Sequence, residues 1–339
     1  MEKIDWDNLG FNVVETHSMY KASCRIGEEW KLGGLIPYGT IELSPAAGVL
    51  NYGQGCFEGT KAYRTVKDRV VLFRPEMNAK RMALSTKRLC IPEMNQEFFL
   101  NAVEETLKDN IDYVPPYGKG SLYIRPIVWG TSPALGVKPV EVYTFMVFVS
   151  PVGPYFKGDI QPLNLKVSNK YHRAAPKGIG NAKAIGNYSA SLLPLIEAKN
   201  SGFDEVIYLN AKDEEFVEEV GSANLFVLTG NTIKTPKLDG SILPGITRDS
   251  VITLAKDTIG LEVLETNVTL TELYDADEVF CTGTAVVVTP VGSITGLDGK
   301  HKIADGKMGQ LTSKLRQLLT GIQRGDVSDE FGWLYPIKE

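Results

Sequence analysis

The chain is 339 residues long, 43% hydrophobic and 23% charged, with a net charge of −5, which is length enough for two domains that each bury a core. Mild negative charge without long like-charge blocks argues against nucleic acid or an anionic membrane as partner, and no apolar run reaches spanning length. The start, Met1 to Asp7, is acidic and lacks a signal-peptide core, so a cytoplasmic location is the expectation.

Residues 11–50 read as short strands broken at Gly33-Gly34 and Pro37. Asn51 to Arg64 is Gly-rich and aromatic, with helix potential through Cys56 to Gly59 and then a strand; a packed turn is its plainest reading. Val70 to Pro75 is a strand stopped by proline. Asn78 to Leu89 reads as an amphipathic, basic helix containing Arg81, and Gln96 to Asp109 as a second helix. Strands follow at Ser121–Trp129 and Val142–Val149. In the first, Tyr123 and Arg125 are two apart and share one sheet face, with Leu122, Ile124 and Pro126 on the other. An arginine beside a tyrosine there suits a carboxylate, although a solvent-facing pair is the commoner case. Residues 151–163, rich in Pro and Gly, read as a linker between an N-terminal domain (1–150) and a C-terminal domain (164–339).

The central stretch, Arg173 to Leu193, passes from a basic entry through a Gly-rich loop into an apolar helical run from Tyr188 to Ala198. Lys183 lies at the junction. Small neighbours (Gly180, Ala182, Ala184, Gly186) would let a bulky planar partner approach the backbone. A lysine among apolar neighbours deprotonates more easily, and a neutral amine can attack an aldehyde. A solvated surface lysine is the competing reading. Neither a G-x-x-x-x-G-K-[ST] loop nor a completed dinucleotide glycine pattern is present.

Glu205–Leu209 is a strand, and Phe216–Leu228 reads as strand, turn, strand. Within it, Glu219 is either a paired buried carboxylate or a rim residue beside Glu218. The turn Gly245-Ile246-Thr247 opens a helix running to about Asp257 and could bind an anion or simply cap. Glu278–Pro290 is strand, Gly-Thr turn, strand, and Lys307–Gln323 a C-terminal structural helix. Four scattered cysteines (Cys24, Cys56, Cys90, Cys281) suggest buried thiols, three dispersed histidines suggest no metal centre, and His172 reads as structural.

Taken in order, Tyr52-Gly-Gln-Gly-Cys-Phe57-Glu-Gly, Asn-Ala-Lys-Arg81-Met, Tyr123-Ile-Arg125-Pro, Gly-Asn-Ala-Lys183-Ala-Ile-Gly-Asn-Tyr188, Glu219-Val-Gly-Ser-Ala-Asn, Leu-Pro-Gly-Ile246-Thr247-Arg and Gly283-Thr284-Ala285 resemble the branched-chain amino acid aminotransferases, pyridoxal 5'-phosphate enzymes of fold type IV. The resemblance implies a two-domain, D-amino acid aminotransferase-like α+β architecture, with a small N-terminal α/β domain and a larger C-terminal domain bearing a β-barrel-like sheet. It implies transamination of L-leucine, L-isoleucine and L-valine with 2-oxoglutarate, giving branched-chain 2-oxo acids and L-glutamate. Lys183 would hold the cofactor as a Schiff base and shuttle the proton, Glu219 would face the pyridine nitrogen, and Tyr188 the ring oxygen. Arg81, Ile246–Thr247 and Thr284 would grip the phosphate, with Arg173 nearby. Thr284, Ala285 and Tyr123 would take the α-carboxylate; Tyr52, Phe57, Tyr123 and Tyr188 would line an apolar pocket with Arg125 at its edge. The loop Ala134-Leu135-Gly136-Val137 would reach a neighbouring subunit, making a homodimer the expected minimum. The Cys-x-x-Cys of some relatives is replaced here by Val286 and Thr289, so thiol regulation of that kind is not expected. The rivals are a D-amino acid or (R)-amine aminotransferase or a lyase of the same fold, or a non-catalytic anion-binding protein.

Overall fold

The structure, a computed structural model, describes residues 4–153 and 160–338. It forms two compact units. The first comprises Met1–Tyr155, Ala182–Ile185 and Gly321–Glu339; the second comprises Phe156–Asn181 and Gly186–Thr320. The sequence reading divided the chain linearly, whereas here 182–185 and 321–339 join the N-terminal unit. Residues 154–159 of the expected linker lie outside the described residues, and Pro151 and Val152 instead end a strand.

The first unit is an antiparallel sheet with helices packed on it. Its strands are β1 (Ser18–Arg25), β2 (Gly34–Pro37), β3 (Gly55–Phe57), β4 (Thr60–Arg64), β5 (Val70–Phe73), β6 (Ser121–Gly130) and β7 (Val142–Val152), with the C-terminal strand Leu334–Pro336. The order is C-terminal strand, β5, β4, β6, β7, β1, β2, with β3 also on β6. Helices are α1 (Gly48–Tyr52), α2 (Pro75–Arg88) and α3 (Gln96–Asp109). Pro75 opens α2 at a position where its missing N–H costs nothing. Asn95 caps α3 by accepting the Phe98 N–H at 2.8 Å. The apolar face of α3 (Phe98, Phe99, Val103, Leu107) meets Leu122, Ile124, Val128, Phe145 and Val147 of the sheet in one core. Cys56 to Gly59 contains a strand rather than a helix. Gly55, Cys56 and Phe57 pair with Trp129, Val128 and Ile127 of β6, and that ladder outweighs weak local helix preference.

The second unit contains β8 (Leu163–Val167), β9 (Glu205–Leu209), β10 (Val217–Val220), β11 (Asn224–Thr229), β12 (Thr232–Pro236), β13 (Glu262–Thr266), β14 (Glu278–Gly283), β15 (Val287–Thr295) and β16 (Lys300–Lys302). Its sheet runs β10, β9, β8, β15, β14, β11, β12, β13, with β16 on β15. Val220 and Ala223 exchange backbone hydrogen bonds of 3.0 and 2.6 Å, tying β10 to β11. That turn brings the β10 edge back beside β11, so the sheet curls, in line with the barrel-like sheet the resemblance implies. Helices α4 (Ile185–Ala190) and α5 (Leu192–Asn200) form the crossover between parallel β8 and β9. The remaining helices are α6 (Ile246–Thr253), α7 (Leu270–Tyr274) and α8 (Gln310–Arg324). The helix expected to reach Asp257 changes at Leu254 to a π-helical turn that ends before Gly260 at φ 82°. Among the described residues, no helix is long and apolar enough to cross a membrane, and no acidic, His or Cys cluster suits a metal.

Candidate active site

In the first unit the site is built on β3. Cys56 bridges to Ala184, and the Phe57 N–H donates to the Lys183 carbonyl at 3.1 Å. The Lys183 N–H donates in turn to Ser85 Oγ of α2 at 2.9 Å. The lysine is thus held as an added strand on the Gly-Cys-Phe segment. Its Nζ lies 4.8 Å from the Phe57 ring centroid. Desolvation and the nearby Arg81 charge bring the amine down to about 8, with Glu58 opposing them.

Beneath it, Glu58 is fully buried. Its Oε1 accepts from Arg81 Nε at 2.8 Å and its Oε2 from Arg81 Nη2 at 2.8 Å and from Asn78 Nδ2 at 2.7 Å. Such a forked pair, with its other lone pairs filled, is how a buried charge is tolerated. Arg81 holds the Glu58 carboxyl below the usual carboxylate range against the desolvation that would raise it. Sequence reasoning missed Glu58. Its signal was an acid between Phe57 and Gly59, in the two-residue gap that separates β3 from β4.

The alternation expected of β6 is present: 122, 124 and 126 are buried, while Tyr123 and Arg125 stand on the opposite face. Arg125 Nη2 donates to Tyr123 Oη at 3.2 Å, and its guanidinium carbon sits 4.8 Å from the Phe57 ring centroid. Its buried Nε has no hydrogen-bond partner among the described residues, and no carboxylate there pairs with it. Gly59 is required because a Cβ would collide with the Tyr123 hydroxyl. Tyr52 donates to the Leu135 carbonyl and Gln54 Nε2 to that of Lys138 at 2.6 Å, which pins a loop whose Leu135 and Val137 are 90% and 87% exposed.

In the second unit, Glu219 on β10 is buried, not a rim residue. It accepts from Arg173 Nη1 at 2.6 Å and from the Leu243 N–H at 3.2 Å. Arg173 Nη1 also donates to the Ser241 carbonyl at 3.1 Å. Gly180 is small because that same carbonyl occupies its Cβ direction, so the chain itself uses the close approach expected for a planar partner. Glu218 is buried too, accepts from Ser241 Oγ at 2.6 Å, and has its carboxyl pushed up by desolvation. At α6 no side chain caps Ile246 and Thr247, leaving first-turn N–H groups suited to an anion. Thr284 and Ala285 sit half-buried in the turn between β14 and β15. Tyr188 lies half-buried on α4. His172 lies beside Glu214 at 3.1 Å. Of the cysteines, Cys90 is exposed rather than buried, because it follows the end of α2 in a left-handed turn at φ 56°.

The class IV amino-transferase family matches residues 55–294. A chloroplastic branched-chain amino acid aminotransferase of Humulus lupulus is 49% identical over 97% of this chain and 81% of that protein. A chloroplastic relative from Arabidopsis thaliana is 49% identical over 97% and 80%. The chain is a branched-chain-amino-acid aminotransferase of the class IV family.

The aminotransferase also superposes on the Escherichia coli branched-chain enzyme with a TM-score of 0.82 at 30% identity, covering 96% and 100% of the two chains. The Thermobaculum terrenum branched-chain enzyme in its pyridoxal phosphate form gives 0.80 at 26% identity, over 96% and 99%. Fold type IV is thereby established. The expected cytoplasmic location is overturned, because the plant relatives are chloroplastic by name. Composition reports only that a folded chain suits an aqueous interior, which organelles also provide.

Proposed function

We propose that Lys183 anchors pyridoxal 5'-phosphate and carries the proton at the substrate Cα during transamination of L-leucine, L-isoleucine and L-valine with 2-oxoglutarate. The observation that carries this reading is the placement of Lys183, its backbone held by Phe57 and Ser85 and its Nζ over the Phe57 ring, where desolvation also brings the amine down to about 8. A neutral amine at working pH can bond an aldehyde and, once released, accept and return a proton. The cofactor, when bound, supplies the electron sink.

The residues present fit that group. Glu219, paired with Arg173 at 2.6 Å, would be the counter-charge for a protonated ring nitrogen. Tyr188 would donate to the ring oxygen. Arg81, oriented by Glu58, would serve the phosphate, as would Thr284 and the uncapped Ile246–Thr247 turn. Arg173, already committed to Glu219 and Ser241, acts mainly through Glu219. Tyr123 and the Thr284–Ala285 backbone are the donors for the α-carboxylate, and Tyr52, Phe57 and Tyr123 are apolar lining. Arg125 answers the side-chain carboxylate of glutamate. A homodimer is supported by the exposed Leu135 and Val137 and by an apolar cavity of about 340 Å³ lined by Met19, Trp129, Met146 and Leu50.

Borohydride reduction of the cofactor-loaded protein, followed by peptide mapping, tests the anchor. The label is expected on Lys183, and Lys183→Ala should keep cofactor but lose turnover. A label on Lys177, or a protein without cofactor absorbance, would overturn the assignment.

A further inference from the structure

The turn joining β14 to β15 carries an anomaly. Val287 sits at φ 61°, a left-handed conformation that hairpins ordinarily give to glycine and that a β-branched side chain resists. It does so opposite Gly283 in the β14–β15 ladder, directly after Thr284, Ala285 and Val286. An arginine holds the place: Arg316 Nη1 of α8 donates to the carbonyls of Val286 at 3.2 Å and Val288 at 2.6 Å, the two residues flanking Val287. Thr289 Oγ1 adds a bond to the Val286 carbonyl at 2.7 Å. A backbone forced into a rare conformation and clamped on both sides presents its N–H groups in one direction, which an unstrained turn does not guarantee.

We infer that Arg316 and left-handed Val287 are positioning residues that aim the Thr284–Ala285 backbone at the substrate carboxylate. The inference rests on the reading of that turn as a carboxylate donor. Arg316 acts through two carbonyls and Val287 through its own backbone, so their loss should weaken substrate binding more than the chemical step.

The test is the single-turnover half-reaction of the cofactor-loaded enzyme with L-leucine, read as an apparent Kd and a limiting rate. Val287→Gly removes the strain and frees the turn. It should leave thermal stability equal or higher yet raise the apparent Kd about tenfold, with the limiting rate within about threefold. Arg316→Met should do the same, and Arg316→Lys, reaching one carbonyl, should restore part of the affinity. An apparent Kd within about twofold of the parent in folded Val287→Gly and Arg316→Met overturns the inference. Ala285→Pro, which deletes one of the aimed N–H groups, separates the two layers. If it weakens leucine while the other variants do not, only the positioning role falls. If it too leaves leucine untouched, the turn is not the carboxylate site.

Discussion

Lys183 is a cation between charges of both signs, and that balance sets its reactivity. In the cofactor-free protein, the rate of covalent cofactor uptake should rise with pH and level off above about 8, as the amine loses its proton. Glu58 pulls the other way, so Glu58→Gln should move the inflection down; absorbance on adding pyridoxal phosphate reads both. A rate unchanged through that range would mean that the amine is not the titrating group. Arg125 stands two residues from Tyr123 with an unmatched Nε. An apolar pocket separates side chains one methylene apart by only about 1–3 kcal/mol, so leucine, isoleucine and valine should all react. Glutamate needs a counter-charge. Arg125→Ala should slow the half-reaction with glutamate or 2-oxoglutarate roughly a hundredfold more than that with leucine, and Arg125→Lys should not restore it. Equal losses in both half-reactions would assign Arg125 to the fold.

At the scale of elements, the carrier of the Arg316 clamp is itself fastened by one buried carboxylate. Glu278 on β14 accepts the N–H groups of Leu311 and Thr312 at 2.9 and 2.8 Å and the Thr312 hydroxyl at 2.7 Å. These are orphan donors at the start of α8, and a carboxylate there also suits the helix dipole. Glu278→Ala should cost about 2–3 kcal/mol in urea unfolding, and Glu278→Gln, which keeps an acceptor, roughly half of that. No shift of the unfolding midpoint would show that water replaces the cap. Segment 182–185 poses the opposite case. It is read from sequence as the edge of a loop, yet it adds to β3 through Phe57 and Ala184, a pairing between residues far apart in the chain.

For the whole molecule, two desolvated groups make stability depend on pH with opposite signs. Lys183 titrates near 8 when folded and at 10.5 when free. The unfolded chain therefore holds more protons between those values, and the cofactor-free protein should gain stability as pH rises across them. Lys183→Met should flatten that rise. The Glu218 carboxyl is raised above its ordinary value of 4.5, so its contribution is full below that value and lost as pH rises through the folded one. The groups facing it are Ser241 and Asp239, with Arg173 and His172 nearby. Glu218→Gln should remove the loss, which urea midpoints measured across pH would register. An identical pH profile for the parent and Glu218→Gln proteins would show that Glu218 binds its proton equally in the folded and unfolded chain.

Sequence by itself determined what repeats over two to four residues or depends on a residue's own chemistry. The alternation of β6 put Tyr123 beside Arg125, the apolar spacing of Gln96 to Asp109 marked α3 to the residue, and the order of the short motifs identified the family. Only the tertiary structure decided the partnerships. Glu58 and Arg81 are 23 positions apart, Ser85 and Lys183 are 98 apart, and Arg316 meets its carbonyls 28 and 30 positions away. The helix expected at Cys56 failed for the same reason. Local preference is worth a fraction of a kcal/mol per residue, about the scale of a single ladder bond, and pairing with β6 supplies several such bonds at once. Which strands lie side by side is set by burying whole faces, a sum over the chain that no single window contains.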